Sequence, residues 1–385
     1  MNIEMRIQTT LFILSALAFG TCKRDISLLS VSAKAGDISV PVRFARGFRI
    51  ESYDSSCSIT VNNPWQSAEN VKYVYHLGNY SVVPEDKKND VFIKVPVKRI
   101  ICLSTTHIGF VEFTNELGSV TGISGSRYVS NPWLVNEIEK GKIQDVGYGE
   151  NLNYELIVKL QPDLVIAYGV SGMETGFAEK LKELGIKVIF IAEYLEENPL
   201  AKMEWVKVFG ALFRKEKKVT QLFDSVADHY SELVKSVSGI KKKPGVLLGI
   251  PWKGTWYISG GESYVAKLIA DAGGNYIWKS LPFADSRPMG LEAIFSKAVS
   301  ADFWLNTGTA NSLADIMATD QRFQSIKAVR NRKVYNYNRL VNAKGGNAYF
   351  ESGVVEPDII LEDLISILHP EVLPSHKLKY YKKLN

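Results

Sequence analysis

The sequence has few of the residues that metal centres and disulfide-rich folds require. Its 385 residues include three cysteines, too few for a dense disulfide scaffold, and none forms a CxxC pair typical of a structural zinc site. The histidines are scattered over unrelated segments, at His76, His107, His229, His369 and His376. Because a free metal ion needs clustered imidazoles or carboxylates, we expect no zinc or manganese site.

Two further absences narrow the class of protein. No apolar run reaches the roughly 18 residues that cross a bilayer, which argues against a polytopic membrane protein. The charges nearly balance, with 46 basic and 41 acidic side chains and a net charge of +5, so we expect no nucleic-acid partner. With 46% hydrophobic residues, the chain has enough apolar material for one large or two medium cores.

The motifs of common enzyme classes are incomplete. The segment Gly122-Ile-Ser-Gly-Ser126 lacks the last glycine of a GxSxG motif, and Gly147-Tyr-Gly149 stops short of GxGxxG. No GxxxxGK[ST] phosphate loop occurs. We therefore predict that the protein is not an enzyme and has no catalytic residues.

The first residues have the pattern of a secretion signal. Residues 8–21 carry no charge, and the run ends in Ala18-Phe-Gly-Thr-Cys22, which resembles a bacterial lipobox. We predict a signal peptide over 1–21, lipidation of Cys22 and a membrane-anchored tether over 22–45. The alternative is cleavage after Ala18, which would release a soluble secreted protein. The two other cysteines, Cys57 and Cys102, form a possible disulfide in an oxidising compartment, although we favour two separate buried thiols.

The remaining chain divides into segments that differ in the spacing of their apolar residues. Short runs rich in Val, Ile, Tyr and Phe over 46–97 predict a small accessory β segment, which we expect to be antiparallel. From residue 98, apolar strand-like runs alternate with helical stretches, which predicts βαβ units and a parallel sheet. Helical periodicity without proline from Leu200 through Val237 predicts one long connecting helix within 199–241, where only Gly210 interrupts the pattern. The alternation resumes over 242–385.

The two segments in which strands and helices alternate contain similar sequence patterns. Glu155–Gly169 and Glu292–Gly308 both read as a helix, a turn and a strand, with the same spacing from Asp to Gly. We therefore predict an α/β fold of two Rossmann-like lobes, at 98–198 and 242–385, joined by one long helix. Ligands of such folds bind beyond the carboxyl ends of the strands, so we expect a cleft between the lobes.

Four phrases in order carry a resemblance to a known family. They are Val97–Ser104, Asn151–Glu155, Leu160–Ile166 and Leu184–Val188. Over about residues 97–370 the chain resembles the periplasmic binding proteins of ABC importers that carry ferric siderophores, haem and vitamin B12. The resemblance implies an extracytoplasmic, monomeric protein that delivers a metal chelate to importer permease subunits. The metal then arrives only within the chelate, so no cofactor is expected.

The resemblance also implies two glutamates, one on top of each lobe, that dock into basic pockets of the transporter. By position these are Glu174 and Glu292. The alternative is that both are carboxylates of a first helical turn, which the helix dipole favours. Charge pairs at a rim steer association more than they add affinity.

Loops after the predicted strands supply the candidate cleft residues. Aromatic rings offer stiff contact area, and arginine offers a planar fork to carboxylate or phosphate. The candidates are Ser104, Thr105, Arg127, Tyr128, Tyr148, Tyr168, Trp252, Trp256, Trp278, Phe283, Arg287 and Arg339. We expect about half of these tryptophans to be core residues. Trp205 and Trp304 are assigned to packing, and His107, alone beside the cleft, to a helix start or the core.

Three functions compete at this point. A siderophore binder is the first, with haem or cobalamin binding by the same mechanism as its alternative. A chelatase-like enzyme would need a histidine and a carboxylate facing one cleft, and only His107 is available. An adhesive lipoprotein would not need two similar lobes.

Overall fold

The computed structural model describes residues 40–53, 56–80, 90–169 and 175–385. The predicted signal peptide, Cys22, most of the tether and Glu174 lie outside these ranges. Within them, no helix combines the length and apolarity that crossing a bilayer requires.

The strands of these four ranges form four sheets. They are β1 Phe48–Tyr53, β2 Ser56–Asn62, β3 Lys72–Gly78, β4 Val91–Lys94, β5 Ile100–Cys102, β6 Val120–Ile123, β7 Gln144–Asp145, β8 Leu164–Ala167, β9 Val188–Phe190, β10 Gly245–Leu248, β11 Trp256–Ser259, β12 Asn275–Tyr276, β13 Ser286–Met289, β14 Phe303–Leu305, β15 Val334–Asn336 and β16 Lys382–Lys383.

The α-helices of the described ranges all follow β5 along the chain. They are α1 Thr105–Phe113, α2 Pro132–Glu139, α3 Tyr154–Leu160, α4 Thr175–Glu183, α5 Pro199–Glu204, α6 Val206–Leu212, α7 Glu216–Val237, α8 Tyr264–Asp271, α9 Leu291–Ala298, α10 Leu313–Thr319, α11 Lys327–Arg330 and α12 Pro357–Leu368.

The N-terminal lobe is built on a five-stranded parallel sheet in the order β7-β6-β5-β8-β9. Side chains alternate between its faces, so Ile100 and Cys102 join one apolar cluster while Ile101 joins the other. Both faces are therefore covered, as parallel sheets require. This arrangement confirms the predicted α/β lobe.

The C-terminal lobe repeats the plan with the sheet order β12-β10-β14-β15-β16. All pairs are parallel except β15 with β16, which is antiparallel. β11 and β13 form a separate two-stranded antiparallel sheet. Two similar lobes with mainly parallel sheets are thus present, as the similar sequence patterns predict.

The segment 46–97 forms a four-stranded sheet in the order β1-β2-β3-β4. Two of its pairs are antiparallel as predicted, but β3 and β4 are parallel. The connection from Gly78 to Val91 is long enough for the crossover that a parallel pair needs. Ile59 and Tyr75 are completely buried in the same apolar cluster as the main sheets, so this sheet shares the core of the lobes.

Two carboxylates attach the chain ahead of β1 to the helices. Glu204 accepts hydrogen bonds from the backbone N–H of Arg43 and Ala45, both at 2.9 Å, and pairs with buried Lys207 at 2.7 Å. Glu196 accepts the backbone N–H of Gly47 at 2.9 Å and the indole N–H of Trp205 at 3.1 Å. These bonds fix the end of the predicted tether against the protein.

The region 199–241 contains a long helix, α7, preceded by the shorter α5 and α6. At ~1.5 Å per residue, the 22 residues of α7 span ~33 Å. The main break follows Phe213, where Arg214 has a left-handed φ of 56°. Gly210 does not interrupt the helix: a Cβ there would lie 3.1 Å from Val219 Cβ, so glycine lets α6 and α7 pack closely.

Candidate ligand-binding cleft

The carboxyl ends of the N-terminal lobe's strands open onto a pocket of about 860 Å³, which we call the wide pocket. It is lined by Leu103, Ser104, Thr105, Ser124, Gly125, Arg127, Tyr128, Asp145, Gly147, Tyr148, Tyr168, Gly345, Asn347 and Phe350. The lining therefore comes from the loops after β5, β6, β7 and β8, with a cover from the C-terminal lobe.

Tyrosines and one arginine dominate the wide pocket. Tyr148 is 62% exposed, and its hydroxyl lies 3.2 Å from that of Tyr168. The guanidinium of Arg127 lies over the ring of Tyr128, 4.4 Å from its centroid, and donates to that hydroxyl. Exposed rings beside an exposed cation suit a large ligand with both flat and anionic parts.

Asp145 orders the loops at one side of the wide pocket. It accepts hydrogen bonds from the backbone N–H of Ser126 at 2.8 Å and of Gly147 at 2.9 Å. Burial alone would raise the pKa of Asp145, but these hydrogen bonds outweigh it and lower the pKa below the ordinary value. The ionised carboxylate thus fixes the backbone on either side of it, next to Arg127 and Tyr148.

A second pocket of about 260 Å³, the narrow pocket, lies at the carboxyl ends of β10, β14 and β15. Its polar or aromatic lining includes Thr106, Lys202, Ser259, Tyr264, Asn306, Tyr337, Tyr349 and Phe350. Phe350 lines both pockets, and α1 contributes Thr105 to one and Thr106 to the other. The two pockets therefore adjoin, and together they form the cleft between the lobes.

His107 is a core residue, as predicted. It is completely buried in the first turn of α1, and its ring lies edge-on to Tyr168 with centroids 6.4 Å apart. Burial lowers its pKa to about 3, so the imidazole is neutral. It is not placed to take a proton from a ligand.

The other histidines are engaged in separate elements. His76 contacts Asp90 at 2.7 Å, His229 contacts Asp358 at 2.9 Å, and His376 contacts Asp363 at 2.6 Å. Over the described ranges, no group of three or more His, Cys, Asp or Glu side chains is arranged to hold a metal ion. Cys57 and Cys102 are both buried free thiols.

The structure brings together the six predicted cleft residues of the N-terminal lobe: Ser104, Thr105, Arg127, Tyr128, Tyr148 and Tyr168. Each follows a strand, so the parallel sheet places them at one edge. Two predictions for the C-terminal lobe are wrong. Trp256 is completely buried and stacks on Trp304, and Trp278 is only 4% exposed beneath the ammonium group of Lys297.

Four further candidates lie outside the lining of both pockets, and their contact with a ligand stays a prediction. Trp252 is 64% exposed on the turn after β10. Arg287 lies over the ring of Phe283 and pairs with Asp285 at 3.1 Å. Arg339 is exposed. The packing roles of Trp205 and Trp304 are confirmed, since both are completely buried.

Sequence reasoning missed several residues that line the two pockets. Asn347 and Phe350 of the C-terminal lobe lie in a stretch of sequence without helical or strand periodicity, and Lys202 lies in the region predicted as the connecting helix. Asp145 ends a strand of two residues that has no apolar run.

Of the two predicted docking glutamates, the structure describes one. Glu292 is exposed in the first turn of α9, away from the lining of both pockets. Arg322 pairs with Asp320 at 2.6 Å, which raises the pKa of Arg322, and the negative charge of Glu292 adds to this rise. Glu174 lies outside the described residues.

A family model for periplasmic binding proteins matches residues 100–339. The chain belongs to the periplasmic binding protein family. It is 32% identical over 313 residues to the uncharacterized lipoprotein MJ0878 of Methanocaldococcus jannaschii. The aligned region covers 78% of this chain and 72% of that protein. It is 26% identical over 194 residues to YvrC of Bacillus subtilis, an uncharacterized ABC transporter substrate-binding lipoprotein, covering 49% of this chain and 59% of that one.

Solved structures share the fold. Helicobacter pylori CeuE with Ni(II) bound has a TM-score of 0.56 at 18% identity, covering 74% of this chain and 88% of that one. A periplasmic heme binding protein from Pseudomonas aeruginosa has a TM-score of 0.55 at 12% identity, covering 75% and 98%. The family is one of transport substrate-binding proteins, which implies ABC importer permeases as partners and an extracytoplasmic location.

Proposed function

We propose that this periplasmic binding protein captures an iron chelate, a ferric siderophore, in the cleft between its lobes and delivers it to an ABC importer as a monomer. The observation that carries the proposal is the convergence of Tyr128, Tyr148, Tyr168 and Arg127 on the wide pocket. Flat organic groups of a chelate would pack on the rings, and its negative charge would meet the guanidinium.

The metal, in this proposal, arrives already enclosed by its organic ligand, and the protein needs no cofactor of its own. The hydrogen bonds of Asp145, the ionised carboxylate in the wide pocket, support this. Its two oxygens already accept hydrogen bonds from the backbone N–H groups of Ser126 and Gly147 and are not needed to bind a metal ion. The protein would therefore recognise the outer surface of the chelate.

The first test is purification from the native source, followed by an absorption spectrum of the bound material. We expect a ligand-to-metal charge-transfer band of a ferric chelate in the visible range. A haem Soret band or a corrin spectrum would instead identify the ligand as haem or cobalamin and contradict the siderophore proposal.

The same ligand then tests the site. Replacing Tyr148 with Ala removes a ring that binding would bury, so the affinity should fall by roughly tenfold, or ~1.4 kcal/mol. Arg127→Ala should weaken binding further at low ionic strength, where charge pairs are less screened. Tyr80→Ala, which removes a partly exposed ring two residues after β3 and outside both pockets, is the control. Equal affinities for all variants would contradict the site assignment.

We also propose that Cys22 carries the lipid that anchors the protein. The small residues before Cys22 and the uncharged run support this, and several relatives are named lipoproteins. Labelled palmitate should enter the wild type and not Cys22→Ser. Equal labelling of both proteins would contradict the anchor.

A further inference from the structure

The narrow pocket is lined by a lysine, Lys202, whose ammonium group has no hydrogen bond or ion pair among the described residues. Lys202 lies on α5, one turn before the helical break at Trp205, and its ammonium lies 5.2 Å from the ring centroid of Tyr264. By contrast, Lys207 on the next turn is fully paired with Glu204 at 2.7 Å.

The negative charge of Glu193 attracts Lys202, but no ion pair between the two is found among the described residues. Glu193 is 2% exposed, and its Oε2 has no hydrogen-bond partner within the described part of the chain. Burial raises the pKa of Glu193, and burial lowers the pKa of Lys202, with each group partly countering the shift of the other. Thr106 and the backbone of Glu193 and Tyr194 hydrogen-bond the carboxyl group of Glu193, whereas the ammonium group of Lys202 has, among the described residues, the attraction of Glu193 and the ring of Tyr264 but no hydrogen bond.

The rest of the narrow pocket is rich in hydrogen-bond donors. Burial raises the pKa of Tyr264 well above its ordinary value, so its hydroxyl remains a donor at neutral pH. Tyr337 and Ser259 add two more hydroxyls to the lining. Such a set, with one ammonium and several hydroxyls, matches the oxygens of a compact anion.

The size of the pocket limits what enters it. About 260 Å³ admits a short arm of a ligand, whereas the adjoining wide pocket of about 860 Å³ has room for the body of a chelate. Phe350 lies between the two and contacts both. We infer that the narrow pocket receives a carboxylate arm of the bound chelate, which pairs with the ammonium group of Lys202.

This inference rests on the proposed chelate function and adds the class of chelate. A carboxylate next to Lys202 would offset the cost of keeping the ammonium charged in a partly buried position. The protein should therefore prefer chelators that bear carboxylates over neutral or cationic hydroxamates of similar size.

Titration calorimetry with two defined probes tests this preference. Ferric citrate supplies carboxylates, and ferrioxamine B is a hydroxamate chelate without them. We expect Lys202→Met, which keeps most of the unbranched side chain but removes the charge, to weaken ferric citrate binding tenfold or more and to leave ferrioxamine B binding unchanged. Lys202→Arg, which keeps the charge, should retain most of the affinity for ferric citrate.

The control is Lys235→Met, which removes an exposed lysine from α7 and should change neither affinity. Circular dichroism melting of each variant checks that the fold persists. Unchanged ferric citrate binding in Lys202→Met, equal weakening of both probes, or no binding of ferric citrate to the wild type would each overturn the inference. In those cases ferrioxamine B binding that depends on Tyr148 would leave the proposed function intact, whereas binding of neither probe would overturn both.

Discussion

At the scale of single residues, Glu351 is a buried carboxylate that links the two lobes through hydrogen bonds. It lies in the C-terminal lobe with 1% exposure, yet it accepts hydrogen bonds from the backbone N–H of Ser130 at 2.8 Å and of Asn131 at 2.7 Å. Asn131 caps α2 of the other lobe. Burial raises the pKa of Glu351 to about 7, against these two hydrogen bonds, and the charge of Glu112 adds to the rise.

This residue predicts a pH dependence of stability. The pKa of Glu351 is higher in the folded protein than its ordinary value near 4.5, so the folded state holds the proton more tightly. Its contribution to the free energy of unfolding is complete below about pH 4.5 and is lost as the pH rises through 7. Between pH 4.5 and 8 the melting temperature should therefore fall less steeply with pH for Glu351→Gln than for the wild type.

The matched control for this experiment is Glu232→Gln, which changes an exposed glutamate on α7. It should keep the pH dependence of the wild type. If Glu351→Gln and the wild type showed the same slope of melting temperature with pH, the raised pKa of Glu351 would be contradicted.

Residue type alone did not separate cleft residues from core residues. Tyr148 and Trp256 are both aromatic, but Tyr148 lies beyond the end of β7 whereas Trp256 begins β11, whose inward side chains are buried. The sequence locates the ends of the long apolar strands, so the N-terminal half of the cleft was predicted. The partners that bury Trp256, namely Trp304 and Phe323, come from distant segments, so its burial was not.

At the scale of elements, strong local patterns predicted both the type and the bounds. The sequence predicts a strand over Val120–Ile123 and a helix over Tyr154–Leu160, and the structure has both with these ends. The helix also has a clear start, since the side chain of Asn153 accepts a hydrogen bond from the backbone N–H of Leu156. The two-residue strands β7, β12 and β16 were missed, since pairing with a neighbouring strand, and not local sequence, defines them.

The connecting region shows the same limit. Helical periodicity continues through 199–237, but the chain turns at Arg214, where Lys215 binds the carbonyl oxygen of Thr114 at 2.8 Å and Glu116 at 2.6 Å. These tertiary contacts favour the left-handed turn over a continued helix. Periodicity records only that each segment has one apolar face, so it cannot tell one long helix from several packed ones.

At the scale of the whole molecule, the two lobes present separate surfaces to a ligand and to a transporter. The cleft lies at the carboxyl ends of both parallel sheets. Glu292 lies in the first turn of α9 and lines neither pocket. We propose that Glu292, together with Glu174 of the other lobe, docks on basic pockets of the importer, so that capture and delivery use different residues.

The double reversal Glu174→Lys with Glu292→Lys tests docking more sharply than alanine. A like charge against a basic pocket costs several kcal/mol, whereas removal of a rim charge mainly slows association. Uptake of the chelate into cells should therefore be abolished, while the affinity of the purified protein for the chelate stays nearly unchanged. Glu183→Lys with Glu232→Lys, two exposed positions on α4 and α7, makes the same change in net charge and should preserve uptake. If uptake survives the first reversal, or if chelate affinity falls with it, the two glutamates act as first-turn carboxylates or cleft residues and the docking proposal is wrong.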